Sequence, residues 1–152
     1  MIVAVYIASS VDGFIAEKNG GIDWLHDAQY AIPGEDFGYV DFMRDVDCLV
    51  MGRNTYEKVL EFDTWPFAGK RVVVLSRTLR TLPEGVAAEL SAEAPVDMLA
   101  RLRAEGVQKV YVDGSQTIRS FLGAGLVTEL TLTIVPVLLG SGLPLFGEIG
   151  VR

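Results

Sequence analysis

Two short stretches carry residue types suited to holding an anion. One is Gly52, Arg53, Asn54 and Thr55 within DCLVMGRNTYEKVL (residues 47–60); the other is Gly114, Ser115, Gln116 and Thr117 within VYVDGSQTIRSFL (residues 110–122). In each, an apolar β-prone run reaches a glycine and passes directly into helical spacing. A helix N-terminus offers unpaired N–H groups and the positive end of a dipole, and glycine lets backbone approach an anion closely. Two such turns on one small sheet predict a ligand with separated phosphates, such as a dinucleotide. Neither turn has Rossmann or Walker spacing: the first strand runs into SSVDGF, and the GSG at residues 140–142 is interrupted by Pro144 before any helix can follow.

Other chemistries are poorly supplied. Cys48 is the only cysteine and lies inside DCLVM, which predicts a buried, inert thiol, no intrachain disulfide and a reducing compartment. His26 is the only histidine, so a histidine-based triad or zinc centre has no support, and no metal site is expected. The net charge of −7 is concentrated at residues 23–63, where ten acidic residues face Arg44, Arg53 and Lys58. An acidic chain without a basic stripe argues against a nucleic-acid partner. The acidic cluster itself reads as a solvated face. No apolar stretch approaches the roughly 20 residues of a membrane helix, and the start of the chain has no basic leader, so the expectation is a cytoplasmic protein with no membrane partner.

The elements that must position these turns follow from periodicity. Strands are predicted at residues 2–8, 48–51, 71–76, 86–90, 109–112 and 129–137. Most are apolar at consecutive positions, as in parallel sheets covered on both faces. Helices are predicted at residues 55–60 (inward face Tyr56, Val59, Leu60), 96–104 (Val96, Leu99, Leu102, with Gly106 as C-cap) and 116–122 (Ile118, Phe121, Leu122). A fourth, from about Glu35 to Arg44, would pack Phe37, Val40 and either Met43 or Phe42. Pro136 cannot donate to a ladder and marks an edge, a bulge or a strand end. The alternation gives an α/β sandwich, and residues 1–152 are expected to form one domain.

Seven segments, in order, resemble dihydrofolate reductase and more closely the reductase domain of bacterial riboflavin biosynthesis with its stand-alone relatives. They are IASSVDGFIA (7–16), GIDWL (21–25), EDFGYVDF (35–42), VMGRNTYE (50–57), VLSRT (74–78), VYVDGSQTIRSFL (110–122) and LTIVPVLLGSGLPLFG (132–147). The resemblance implies a dihydrofolate reductase-like three-layer sandwich around a mostly parallel sheet. Because Arg152 follows soon after LPLFG, its C-terminal antiparallel part is expected to be shortened.

The resemblance also implies an NADPH-dependent reductase of a small heteroaromatic substrate, pterin- or pyrimidine-like. Gly52, Arg53, Asn54 and Thr55 match the turn gripping the cofactor phosphates, with Arg53 on the adenosine 2′-phosphate. Ser76 and Arg77 match the segment along the adenine ribose, and Gly114, Ser115, Gln116 and Thr117 match the second phosphate turn. Ser115 stands where the family commonly has a second glycine; it strains a positive-φ position, caps the helix, or does both. Ala8, Ile15 and the loop from Asp12 to Ala16 match the nicotinamide border, with Asp12 and Trp24 on the substrate side. Asp36 matches the substrate-side carboxylate, whose burial would raise its pKa for proton relay; its place at a helix start equally suits a cap, and Glu35 and Asp12 are rival acids. A nucleotide-binding protein without catalysis and a true dihydrofolate reductase are the alternative readings. The apolar run at residues 132–139 predicts a homodimer.

Overall fold

The computed structural model describes residues 1–85 and 87–150. Strand β1 (Ile2–Ser10) leads through a tight turn to the short β2 (Phe14–Ala16), then to two 3-10 turns (Asp23–His26 and Ala28–Tyr30). After these come helix α1 (Tyr39–Arg44), β3 (Cys48–Gly52), α2 (Arg53–Leu60), β4 (Arg71–Leu75), β5 (Glu89–Ser91) and α3 (Pro95–Ala104). The chain continues through β6 (Lys109–Asp113), α4 (Ser115–Gly123), β7 (Glu129–Val135) and β8 (Leu143–Pro144). Six strands form one sheet in the order β5-β4-β3-β6-β1-β7, every pair parallel. Among the described residues antiparallel pairing is confined to β2 with β8, outside that sheet.

The consecutive apolar residues of the central strands divide between two cores because side chains alternate across a strand. Val3, Val5, Cys48, Val50, Val73, Val110 and Val112 pack on one face with Met98, Leu99 and Leu102 of α3 and Ile118 and Phe121 of α4. Leu49, Met51, Val72, Val74 and Tyr111 pack on the other with Tyr56 and Val59 of α2, and with Phe42 and Met43 of α1 at the margin. This is the expected three-layer sandwich around a mostly parallel sheet.

Several local expectations need correction. Val96 is 56 % exposed, because Pro95 takes the first helical position and turns Met98, Leu99 and Leu102 inward. Leu60 ends α2 and is also exposed. The fourth helix covers six residues, since Phe37 (φ 54°) and Gly38 (φ 83°) interrupt the chain before Tyr39; Phe37 and Val40 are consequently exposed while Phe42 and Met43 pack. The fourth predicted strand begins at Val86, which lies outside the described residues, and the observed strand occupies Glu89–Ser91. β7 ends at Val135, immediately before Pro136. The two-residue β8 and three-residue β2 carry too little pattern for periodicity to find.

Candidate active site at the β3/β6 crevice

The sheet directs attention to one place. β3 and β6 are neighbours, with Met51 opposite Asp113, yet α2 leaves β3 toward one face while α4 leaves β6 toward the other. In open α/β sheets such a divergence opens a crevice beyond the carboxyl ends of the strands. Both predicted turns lie there, and they interlock. A Cβ on Gly52 would come 2.9 Å from Thr117 Oγ1, and a Cβ on Gly114, whose φ is +94°, would collide with Thr55 Oγ1. Glycine is required at residue 114 on both counts. Gly52 and Gly114 are the N-caps of α2 and α4, and neither helix has a side-chain capping bond, so two sets of first-turn N–H groups lie side by side without side-chain partners.

The charged and polar residues of the first turn are accessible. Arg53 and Asn54 are exposed and Thr55 is half-buried. Arg53 Nε donates to Glu57 Oε1 at 2.7 Å, a bond that leaves both Nη groups for another acceptor. Gly52 stands opposite Leu75, so Ser76 and Arg77 emerge from β4 next to Arg53. Arg77 is exposed, and Ser76 Oγ accepts from Leu79 N at 3.0 Å and organises its own turn. In the second turn Gln116 is exposed and Thr117 buried, while Ser115 is the first residue of α4 rather than its cap. Gly114 alone takes the positive φ, so the expected strain at Ser115 does not arise.

Of the two readings open for Asp36, the structure shows the cap. Asp36 is exposed, and its two oxygens accept from Gly38 N (2.9 Å) and Val40 N (3.0 Å), capping the start of α1. These bonds, the one from Val40 foremost, favour the charged form and hold its pKa below the ordinary value. The upward shift expected from burial is therefore corrected. Glu35 is likewise exposed and accepts from Phe37 N at 2.7 Å. Asp12, expected on the substrate side, turns its carboxylate onto Ser10 Oγ and the backbone N–H groups of Leu139 and Gly140.

A carboxyl not foreseen from sequence lies at the crevice. Asp113 closes β6 immediately before Gly114 and is half-buried; desolvation pushes its pKa up, against the single bond it accepts from Gly114 N at 2.9 Å. An aromatic group lies on the same side of the sheet: Tyr6 packs on Tyr39 and Phe42 with ring centroids 5.7 and 4.9 Å apart, and Phe42 meets Tyr111 edge-on at 5.0 Å. Burial raises the pKa of Tyr39, and the charge of Asp113 adds to it. The signal in the sequence was an acidic residue closing the otherwise apolar strand VYV at its carboxyl end. Of the remaining predicted residues, Ala8 is half-buried near the end of β1, and Ile15, on β2, packs against the core of the α3/α4 face. Trp24 lies on the first 3-10 turn, with its indole Nε1 buried and unpartnered among the described residues. Cys48 is wholly buried, which pushes its thiol up to about 12.

The model of the RibD C-terminal domain matches residues 1–152. The chain belongs to the RibD C-terminal domain family. Within reach of this RibD C-terminal domain are the uncharacterized protein YwjB of Bacillus subtilis, 34% identical over 148 residues that cover 95% of this chain and 82% of that protein. Dihydrofolate reductase HdrB of Haloferax volcanii is 34% identical over 131 residues, covering 83% of this chain and 64% of that protein. The crystal structure of a putative riboflavin biosynthesis protein from Shewanella sp. PV-4 is similar throughout, with 45% identity, a TM-score of 0.92, and coverage of 100% of this chain and 86% of that one. A deaminase/reductase structure from Thermotoga maritima, at 20% identity and TM-score 0.68, covers 95% of this chain and 47% of that one and shares the fold.

Proposed function

We propose that this RibD C-terminal domain is an NADPH-dependent reductase of a small heteroaromatic substrate, pterin- or pyrimidine-like. The observation that carries the reading is the interlocked pair of glycine turns, each ending one of two adjacent strands and each leaving a helix N-terminus without a side-chain cap. The residues fit a phosphate-bearing nucleotide: Cβ atoms at residues 52 and 114 would meet the Thr117 and Thr55 hydroxyls between the two turns, and the first-turn N–H groups of α2 and α4 lack side-chain caps. The family and the dihydrofolate reductase relative support a reductase-type activity. Arg53 suits a 2′-phosphate because a guanidinium stays charged and bonds bidentately. Asn54, Thr55, Ser115, Gln116 and Thr117 complete the phosphate turns, Ser76 and Arg77 flank the ribose, and Ala8 and Ile15 border the nicotinamide. Trp24 closes the substrate side.

The reduced nicotinamide supplies a hydride to a C=N or C=O carbon, and the adjoining nitrogen or oxygen then needs a proton. Asp113 suits that donor better than Asp36. Its desolvated carboxyl retains a proton to higher pH, and it ends the strand that leads into the second phosphate turn. Asp36 is occupied as a cap.

Nucleotide titration and a substrate screen test the reading. NADPH should raise the melting temperature by mass action, and NADPH absorbance should fall with dihydrofolate, the ribosylaminopyrimidine or another reducible heterocycle. No melting shift with millimolar NADPH or NADH would refute it. Binding without turnover of any substrate would turn it into the non-catalytic nucleotide-binding alternative.

A further inference from the structure

One carboxylate outside the crevice joins two loops distant in sequence. Asp12 lies in the turn from β1 to β2. Its Oδ1 accepts from the Ser10 hydroxyl at 2.6 Å and from Leu139 N at 3.2 Å, and its Oδ2 accepts from Gly140 N at 2.8 Å. Ser10 Oγ in turn accepts from Phe14 N at 3.0 Å, so the hydroxyl links the carboxylate to the first residue of β2. Backbone bonds surround this knot: Val11 N donates to Val137 O and Leu145 N to Gly13 O, each at 2.9 Å. Beyond them β2 pairs with β8, and Gly142 lies against the Ala16 carbonyl where a Cβ would collide. Residues 10–16 and 137–145 thus form one unit, in which Asp12 supplies the side-chain link to the Leu139–Gly140 backbone.

That unit stands beside the crevice. β1 and β6 are parallel neighbours with Ala4 opposite Tyr111, so their carboxyl ends share one edge of the sheet, and β1 continues further beyond the pairing than β6 does. The loop after β1 accordingly leaves the sheet on the same side as the Gly114 turn. A carboxylate that already accepts from one hydroxyl and two amides is poorly placed to bind substrate as well. An accepting carboxylate on two adjacent N–H groups is instead a means of holding a glycine-bearing turn in one conformation.

We propose that Asp12 is a positioning residue, a latch that fixes the 10–16 loop against the Leu139–Gly140 turn and thereby sets the wall of the nucleotide crevice. The effect on nucleotide rests on the function proposed above; the latch itself does not. Hydrogen exchange on the whole chain without ligand tests the latch. Asp12→Ala should raise exchange of the Leu139 and Gly140 amides and of residues 10–16 by about tenfold or more, while β3 and β4 keep their protection. Unchanged exchange in both loops would overturn the latch. If Asp12→Ala does not fold, Asp12→Asn reads the same amides: its one carbonyl oxygen still accepts but its NH2 cannot, so exchange of at least one of the Leu139 and Gly140 amides should rise.

Nucleotide affinity then separates positioning from mere support. NADPH should bind about tenfold more weakly to Asp12→Ala, with recovery in Asp12→Glu, which again offers a carboxylate. Opened loops with wild-type affinity would overturn the positioning role. If the wild-type chain binds neither NADPH nor NADH, the proposed function fails, and the exchange result alone decides the latch.

Discussion

Arg53 and Asp113 are the residues on which the proposed chemistry turns, and they predict different failures. A charge-assisted hydrogen bond contributes about 1.5 to 3 kcal/mol, or about 10- to 150-fold in affinity. Arg53 is half-exposed and already paired with Glu57, so Arg53→Ala should weaken NADPH in the lower half of that range while leaving NADH nearly unchanged. Raised salt should shrink the difference by screening. Isothermal titration with both nucleotides checks this, and equal losses would mean that Arg53 supports the turn without reading a 2′-phosphate. Arg77→Ala should act in the same direction but less.

Asp113→Asn should slow turnover by about 10² or more with cofactor affinity preserved. The sign of the pH effect follows from its raised pKa. As a proton donor it works below that value, so wild-type turnover should fall as pH rises through it, and this limb should vanish in the variant. The same shift predicts a stability effect. A carboxyl whose folded-state pKa is raised favours folding of the protonated form, and it penalises the fold once pH exceeds the ordinary carboxylate range. Asp113→Asn should therefore raise the melting temperature at neutral pH but not in acid. A variant that is less stable at neutral pH would contradict the desolvation argument. For Asp36, a cap whose pKa is lowered, the sign is opposite: its contribution is present at neutral pH and is lost as pH falls through its folded-state pKa.

At the scale of elements, the two turns are not equivalent. Gly52 has an ordinary φ of −82°, and a Cβ there would come 2.9 Å from the Thr117 hydroxyl, a less severe approach than at Gly114. Gly114 combines positive φ with a collision against Thr55. Gly114→Ala should thus cost about 1 to 3 kcal/mol of stability and most nucleotide affinity, while Gly52→Ala costs less, as denaturant unfolding would measure. Away from the site, Arg71 of β4 bridges Glu89 of β5 and Glu105 at the end of α3, and Arg101 of α3 bridges Glu89, Glu93 and Glu105. The arginine partners hold the Glu93 and Glu105 carboxyls below the usual range. Their support is present at neutral pH and is lost as pH falls through those lowered values, so acid should loosen the β5 edge. Exchange of the β5 amides against pH would show it.

For the whole molecule, the exposed surface of 9022 Å² exceeds the roughly 7,600 Å² expected for a compact monomer of this mass. Among the described residues the β7 edge is unpaired on its outer side, and an apolar segment follows it. Leu130, Ile134 and Leu138 are 44 %, 60 % and 71 % exposed. Such an edge invites pairing with a second chain. We expect a homodimer that buries it: light scattering at tens of micromolar should return twice the 16.5 kDa chain mass, and Ile134→Lys should return the chain mass. A wild-type monomer under those conditions would contradict the expectation. Among the described residues no helix is long and apolar enough to cross a membrane.

Local structural choices are legible in the order of the residues. Consecutive apolar residues such as Val72, Val73 and Val74 predicted strands buried on both faces, and both glycine turns were found at the starts of α2 and α4. Those signals are local because backbone geometry and side-chain alternation act over a few residues. Tertiary structure decided what the turns and carboxylates do. Nothing in the spacing states that β3 and β6 are neighbours or that α2 and α4 leave toward opposite faces, yet that arrangement brings Gly52 to Thr117 and Gly114 to Thr55. Asp12, Asp36 and Asp113 are chemically identical side chains. The first meets amides more than 120 residues away, the second meets the start of its own helix, and the third meets a desolvating strand end. Which of them holds a proton depends on the dielectric and hydrogen bonds around each carboxyl, and these are set by chain segments that meet only in the folded molecule.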